Sequence, residues 1–179
     1  SHLSDMVQDV MVLSRGESDG FGLDLQSVDL ITYCRDIVEE FQFTYHKTHR
    51  ITFTSQERNL RAVLDPKLLR RALTNLLSNA VKYSPEGGQV DFALACLPDG
   101  WIEIRVMDSG IGIPASDQDH LFEPFHRAEN VENLPGTGLG LAISKQAIEQ
   151  HHGQITFESA PGQGTTFIVQ MPMVASGAD

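Results

Sequence analysis

Asn75, Asn79 and Lys82 stand four and three residues apart, so in a helix their side chains project from one narrow stripe and can converge on one ligand. Asparagine is a mediocre helix former, and two on the same side in mid-helix call for a reason beyond solubility, although a solvated face is the plain alternative. The amide oxygen of Asn79 suits a hard cation such as magnesium, which keeps most of its waters and takes its other ligands from phosphates. Lys82 would offset phosphate charge. Asp108 follows a strongly apolar stretch and precedes Ser109-Gly110-Ile111-Gly112-Ile113-Pro114. Asp-Ser-Gly is a good turn sequence. The same carboxylate, held in a partly dry pocket, would accept a hydrogen bond from the six-amino group of adenine, with Gly110 and Gly112 keeping Cβ atoms out of the space of the base. Pro135-Gly136-Thr137-Gly138-Leu139-Gly140-Leu141 opens directly into an apolar-periodic segment, and free amides at a helix start favour bound phosphate. Together these pieces describe a purine-nucleotide pocket, which none of them would establish alone.

A further group, Phe122-Glu123-Pro124-Phe125-His126-Arg127, lies between the two glycine segments. Phe122 and Phe125 read as a hydrophobic anchor that docks a loop on the body. Arg127 is suited to stabilising charge on a transferring phosphoryl group, with a solvated arginine as the alternative. Other nucleotide signatures are excluded. No Walker loop is present, and Gly110 to Ala115 fits the loose dinucleotide fingerprint without the following strand and ribose-binding acid about twenty residues on.

Composition narrows the partners. With 24 acidic against 13 basic residues and a formal charge of −11, the chain repels polyanions, so neither nucleic acid nor direct contact with an anionic membrane is expected. Cys34 and Cys96 show no metal-ligand spacing and sit in apolar patterns, as buried thiols of a reducing, cytoplasmic setting would. No apolar run approaches the length needed to span a bilayer, and Ser1-His2 has no signal-peptide character. The full-length protein could still be membrane-anchored. His46, His49, His120, His151 and His152 read as surface or helix-end residues without metal-site spacing.

The elements that must position these groups follow from periodicity. Leu3, Met6, Val7, Val10, Met11 and Ser14 recur at helical steps, as in the last turns of an amphipathic or coiled-coil helix over residues 1–15. Residues 16–27 form a Gly-, Ser- and Asp-rich joint, residues 28–175 one domain, and 176–179 a tail. A helix is predicted from about Asp29 to His46, then strands Arg50 to Ser55 and Leu60 to Leu64. Asp65-Pro66 opens a strong helix to Tyr83, with Leu69, Leu73, Leu76, Leu77 and Ala80 inward and Arg71, Asn75, Asn79 and Lys82 opposite. Gln89 to Leu97 and Trp101 to Met107 form a hairpin that delivers Asp108 at its end. Between Ile113 and Thr137 the only helical signal is short, around Gln118 to Phe125, so this segment is expected to be mostly a long mobile loop. A helix from Leu139 to His151 and a hairpin, Gln154 to Ser159 with Thr165 to Met171, complete the pattern.

In order, Asn75-Leu-Leu-Ser-Asn79-Ala-Val-Lys82-Tyr83, Asp108-Ser-Gly110-Ile-Gly112-Ile-Pro, Phe122-Glu-Pro-Phe125-His-Arg127 and Gly136-Thr-Gly138-Leu-Gly140-Leu resemble the four boxes of the sensor histidine kinases, with the GHKL or Bergerat ATP-binding fold. The resemblance covers Val28 to Pro172. It implies an α/β (α+β) fold: a two-layer sandwich in which a mixed, mostly antiparallel sheet is covered on one face by about three helices, with a long ATP lid. It implies Asn79 as the magnesium ligand, Asn75 and Lys82 at the phosphates, Tyr83 beside the base, Asp108 at adenine and Arg127 at the terminal phosphate. Asn75, Lys82 and Arg127 would then be catalytic. Gly110, Gly112 and Ile113, together with Gly136, Thr137, Gly138, Leu139, Gly140 and Leu141, complete the implied nucleotide site, and Thr166 is similar to a residue that binds adenine through water.

Related ATPases of this fold carry a glutamate one turn before the magnesium asparagine, to activate water, and here that place holds Asn75. The resemblance therefore implies phosphoryl transfer from Mg·ATP to a protein histidine, in a two-component phosphorelay ending at a response regulator. None of the chain's histidines has the acidic, then basic-proline context of the family's phosphoacceptor. The chain reads as an excised catalytic domain whose acceptor histidine sits on a separate dimerisation domain of the same kinase. The alternatives are an ATP-hydrolysing or non-catalytic nucleotide-binding switch of the related fold, with a protein-serine kinase as a further cousin.

Overall fold

The computed structural model describes residues 2–16, 22–85, 87–131 and 136–175. The middle of the expected joint, residues 17–21, and the tail, residues 176–179, lie outside the described residues. Helix α1 (His2–Gly16) precedes β1 (Gln26–Asp29), α2 (Leu30–Tyr45), β2 (Arg50–Ser55), β3 (Arg61–Leu64) and α3 (Pro66–Tyr83). The hairpin β4 (Gln89–Cys96) and β5 (Trp101–Asp108), the short α4 (Ala115–Gln118), α5 (Gly140–Gln150), β6 (Gln154–Ser159) and β7 (Thr165–Pro172) follow.

The main sheet has five strands in the order β2-β4-β5-β7-β6, with β2 parallel to β4 and every other pair antiparallel. The parallel pair arises because α3 lies between β2 and β4 in the chain and carries it back across the sheet. Alternation then fixes the two faces. In β7, Thr165, Phe167, Val169 and Met171 are buried toward the helices, and Thr166 and Gln170 point the other way with Glu103 and Arg105 of β5. Helices α2, α3 and α5 cover the inner face, and their buried stripes (Leu30, Ile37, Leu69, Leu73, Leu76, Leu77, Ile148) join Phe92, Ile102, Ile104 and Val106 in one core.

β1 departs from the sequence reading. Residues 26 and 27, assigned to the joint, pair antiparallel with Leu64 and Val63 of β3. Val174 bridges to Val63 on its other side. The strand carries mostly exposed polar residues and has no alternation to announce it; only its partner makes it a strand.

Asp65 caps α3, its Oδ1 accepting from the N–H groups of Lys67 and Leu68 at 3.0 and 3.1 Å. Its own N–H donates to Nε2 of His151 at 3.0 Å. Nδ1 of that ring lies 2.7 Å from the carbonyl of Ala147, so His151 is at a helix end as expected yet wholly buried, joining the end of α5 to the start of α3. Burial raises the Cys34 thiol to about 12, as suits an inert buried cysteine; Cys96 is half-buried.

Candidate nucleotide site

Between α3, the end of β5 and the start of α5 lies a cavity of about 510 Å³, a volume that suits a small-molecule ligand. Asn75, Asn79 and Lys82 all line it, as their helical spacing required, with Ser78 and Val81 of the same helix. The arc packed into the core on the opposite side, from Leu69 to Ala80, fixes α3 so that the stripe faces one place. Asn75 Nδ2 donates to the carbonyl of Gly140 at 3.1 Å, tying α3 to the first turn of α5. Among the described residues no hydrogen bond engages the amide oxygen of Asn75, and Asn75 lines the cavity. The Lys82 ammonium stands 4.9 Å above the Tyr83 ring.

Asp108 lies at the last pair of the β4/β5 ladder. Its Oδ1 accepts from the N–H groups of Gly110 (2.8 Å) and Thr165 (3.3 Å), and among the described residues no hydrogen bond engages Oδ2. Burial pushes this carboxyl above its ordinary range, opposed by those two backbone bonds. A half-dry carboxylate held by backbone amides suits recognition of a neutral N–H donor such as an exocyclic amine.

Gly110 and Gly112 are required by the protein's own packing. A Cβ on Gly110 would meet the carbonyl of Tyr83 at 2.4 Å, and one on Gly112 (φ +69°) the carbonyl of Ala160 at 2.0 Å. The contacts forbidden there are with the protein's own backbone, so both glycines let the loop pack against α3 and β6. Gly112 and Ile113 line the cavity and Gly110 does not. At Gly136 a Cβ would fall 2.5 Å from Lys82 Nζ, so that glycine makes room for the ammonium. Gly136, Thr137, Gly138, Gly140 and Leu141 line the cavity where α5 begins. Leu139 is wholly buried beneath the loop and is a packing residue.

Of the two adjacent threonines, it is Thr165 and not the expected Thr166 that lines the cavity. On β7 it is Thr165 and Phe167 that face the helices and line the cavity, whereas Thr166 is on the far face of the sheet. Two adjacent threonines cannot be told apart until the register assigns them to faces.

The segment after Pro114 carries more local structure than the sequence pattern announced. Asp117, Leu121 and Ala128 are buried, α4 spans Ala115–Gln118, earlier than the expected turn, and Glu129–Val131 form a 3₁₀ turn. Residues 132–135 lie outside the described residues. Phe122 packs against Phe157 and Phe167, ring centroids 5.9 and 6.4 Å away, and is the expected anchor. Phe125 is not: it is 61% exposed with φ +64°. Its N–H donates to the carbonyl of Gly138 at 2.9 Å, so its backbone, and not its ring, ties this segment to the glycine loop. Arg127 lines the cavity together with His126, Ala128 and Asn130.

α1 contributes a residue that no motif announced. Asp9 lines the cavity and pairs with Arg71 at 2.6 Å, while Gln146 of α5 donates to the carbonyl of Leu13 at 3.1 Å. The half-buried side of α1 is thus Met6, Asp9 and Leu13, and the apolar stripe Leu3, Val7, Val10 and Met11 is exposed. Tyr45, at the end of α2, also reaches the cavity without a sequence signal. Among the described residues no cluster of three or more His, Cys, Asp or Glu could hold a metal ion, and no helix is long and apolar enough to cross a membrane.

A cavity with an amide stripe, a rim carboxylate and a glycine-built helix start on its walls defines a purine-nucleotide-binding α/β sandwich. The model of the histidine kinase-, DNA gyrase B-, and HSP90-like ATPase family matches residues 64–175. The chain belongs to this family, in the form that sensor histidine kinases carry as their ATP-binding catalytic domain. It is 33% identical over 170 residues to the sensor histidine kinase WalK of Bacillus subtilis, covering 93% of this chain and 28% of that protein. It is 36% identical over 172 residues to the sensor-like histidine kinase SenX3 of Mycolicibacterium smegmatis, covering 95% and 44%. Full-length ShkA, solved in complex with AMPPNP, matches with a TM-score of 0.86 at 28% identity, over 99% of this chain and 37% of that one. The chain spans less than half the length of the curated relatives it matches.

Proposed function

We propose that this chain binds Mg·ATP and directs its terminal phosphoryl group to a histidine on a dimerisation domain of the same kinase, from which a response regulator is then phosphorylated. The observation that carries the reading is the convergence of Asn75, Asn79, Lys82, Asp108, Arg127 and the start of α5 on one cavity. Asp108 Oδ2 accepts from the adenine amine, Tyr83 and Thr165 flank the base, and the amides from Gly138 onward receive phosphate. Asn79 fits a magnesium ion: its half-buried carboxamide lines the cavity, and no hydrogen bond engages it among the described residues. When bound, that ion neutralises phosphate charge. Lys82 and Arg127 add positive charge around the transferring group; an imidazole nitrogen of the acceptor forms the new N–P bond, the bond from γ-phosphorus to the bridging oxygen breaks, and ADP leaves with those electrons.

Asn75, standing where a water-activating glutamate would be, supports transfer over hydrolysis: a carboxamide cannot take a proton from water at neutral pH. The exposed stripe of α1 supports assigning residues 1–15 to the distal end of a dimerisation helix, with 28–175 as the catalytic domain. Calorimetric titration with ATP and magnesium tests the site. Asn79→Ala and Asp108→Ala are each expected to weaken binding by about tenfold or more, the scale of one or two lost charge-assisted contacts. Parent-like affinity in both variants would remove the site assignment. Labelled ATP added to the chain alone is expected to label nothing, and turnover without an acceptor would favour a hydrolysing switch.

A further inference from the structure

Arg127 sits in a short span whose two ends are held by one carboxylate outside the cavity. Asp117, on α4, is 5% exposed and does not line the nucleotide site. Its Oδ2 accepts the N–H of Glu129 at 3.1 Å, and its Oδ1 stands 3.3 Å from Nε2 of His126. The residues between these two ties, Arg127 and Ala128, both face the cavity. α4 is itself pinned to the adenine side of the site. Asp117 N–H donates to the carbonyl of Pro114 at 3.0 Å, and the neighbouring Gln118 amide donates to the carbonyls of Ile113 and Ser159 at 3.1 and 3.3 Å. A fixed frame, carried from the end of β5 through Ile113, therefore ends in a carboxylate that grips the backbone on both sides of the arginine.

The two ties differ in kind. The bond from Glu129 is a hydrogen bond from a backbone N–H to the carboxylate. The His126 Nε2 atom is shut off from solvent and makes no aligned hydrogen bond among the described residues; its close polar neighbour is the Asp117 oxygen. The contact is therefore a loose one, with room to tighten. The ring is steadied on its other side by His120, centroid to centroid 5.7 Å, which is in turn bonded to Glu123 at 2.8 Å. Burying a carboxylate costs stability unless it is well paired, and here one of its two partners is incompletely engaged.

We propose that Asp117 is a positioning residue for the terminal phosphate of ATP: by holding His126 and Glu129 it presents the Arg127 guanidinium to the γ-phosphoryl group. This rests on the reading of Arg127 given above. It separates ATP from ADP, because only the triphosphate carries the group that Arg127 would meet.

The test is the ratio of ATP to ADP affinity, with magnesium, for the wild-type chain, Arg127→Ala, Asp117→Ala, Asp117→Asn and the double variant Arg127→Ala/Asp117→Ala. Arg127→Ala is expected to weaken ATP about tenfold and to leave ADP within about twofold, the scale of one charge-assisted contact. Asp117→Ala is expected to weaken ATP about threefold to tenfold with ADP again within about twofold, and the double variant to lose no more than Arg127→Ala alone. Asp117→Asn keeps an acceptor for Glu129 and a polar neighbour for His126, and is expected to recover most of the selectivity. It also serves if the alanine variant does not fold, since equal losses of ATP and ADP in Asp117→Asn would overturn the proposal. So would equal losses in Asp117→Ala, or losses that simply multiply in the double variant while Arg127→Ala keeps its selective effect. If Arg127→Ala leaves the ratio unchanged, the role given to Arg127 fails and this proposal with it.

Discussion

The cavity has two walls built on different principles. On α3, the ligand-facing stripe and the core-facing arc belong to the same helix, so packing Leu69, Leu73, Leu76 and Leu77 orients Asn75, Asn79 and Lys82 automatically. In the segment from Pro114 to Val131 no repeating structure does this. Arg127 is placed by separate fastenings: the Phe122 ring in an aromatic cluster, the Phe125 amide on Gly138, and the Asp117 carboxylate on His126 and Glu129. A wall held by a helix loses its site only when the core fails, whereas a wall held by single contacts can lose function one contact at a time.

That contrast can be broken at its strong side first. Leu76→Ala, at a wholly buried position of α3, is expected to lower the unfolding free energy by about 2 to 5 kcal/mol in chemical denaturation, taking nucleotide binding down with the fold. A loss below about 1 kcal/mol would mean that α3 is not anchored as described.

A second prediction concerns the rim carboxylate, which belongs to neither wall. Burial raises Asp108 above its ordinary value, so the folded protein holds that proton more tightly than the unfolded chain does. The stabilising contribution is therefore complete below the ordinary carboxylate range and is lost as pH rises through the raised value. Without nucleotide, Asp108→Asn is expected to melt higher than the parent near neutral pH, with the gap closing as pH falls through the acid range. Thermal melts of both proteins across that range check it, and a gap that widens in acid would contradict the assignment. The smallest effect is expected on the contact-held wall. Phe125 is exposed at φ +64°, a conformation that costs an L residue about 1 kcal/mol or more, so Phe125→Gly should be neutral to stabilising by about 0.5 to 1 kcal/mol. Clear destabilisation in a denaturant titration would show that the Phe125 ring anchors the segment after all.

Legibility follows the same division. The stripe on α3, the hairpin that ends in Asp108 and the glycines before α5 could be read because short-range periodicity alone sets which way those side chains turn. Where direction depends on a partner, reading failed. Thr165 and Thr166 differ only by sheet register, β1 exists only beside β3, and His151 is buried only because the end of α5 meets the start of α3. Asp9 and Asp117 carried no motif at all. Each reaches its role across a contact that local spacing does not set, Asp9 to Arg71 on a distant helix and Asp117 to residues on the far side of a turn.

The amino-acid order by itself determined the long helices and the strands of the main sheet, the stripe of amides, the position of the rim carboxylate and the family, because those depend on residue type at fixed local spacing. The tertiary structure alone decided which threonine lines the cavity, which phenylalanine is an anchor and which carboxylate meets the backbone beside the arginine. These are questions of which surface a side chain meets once distant segments pack together, and local spacing carries no information about that meeting.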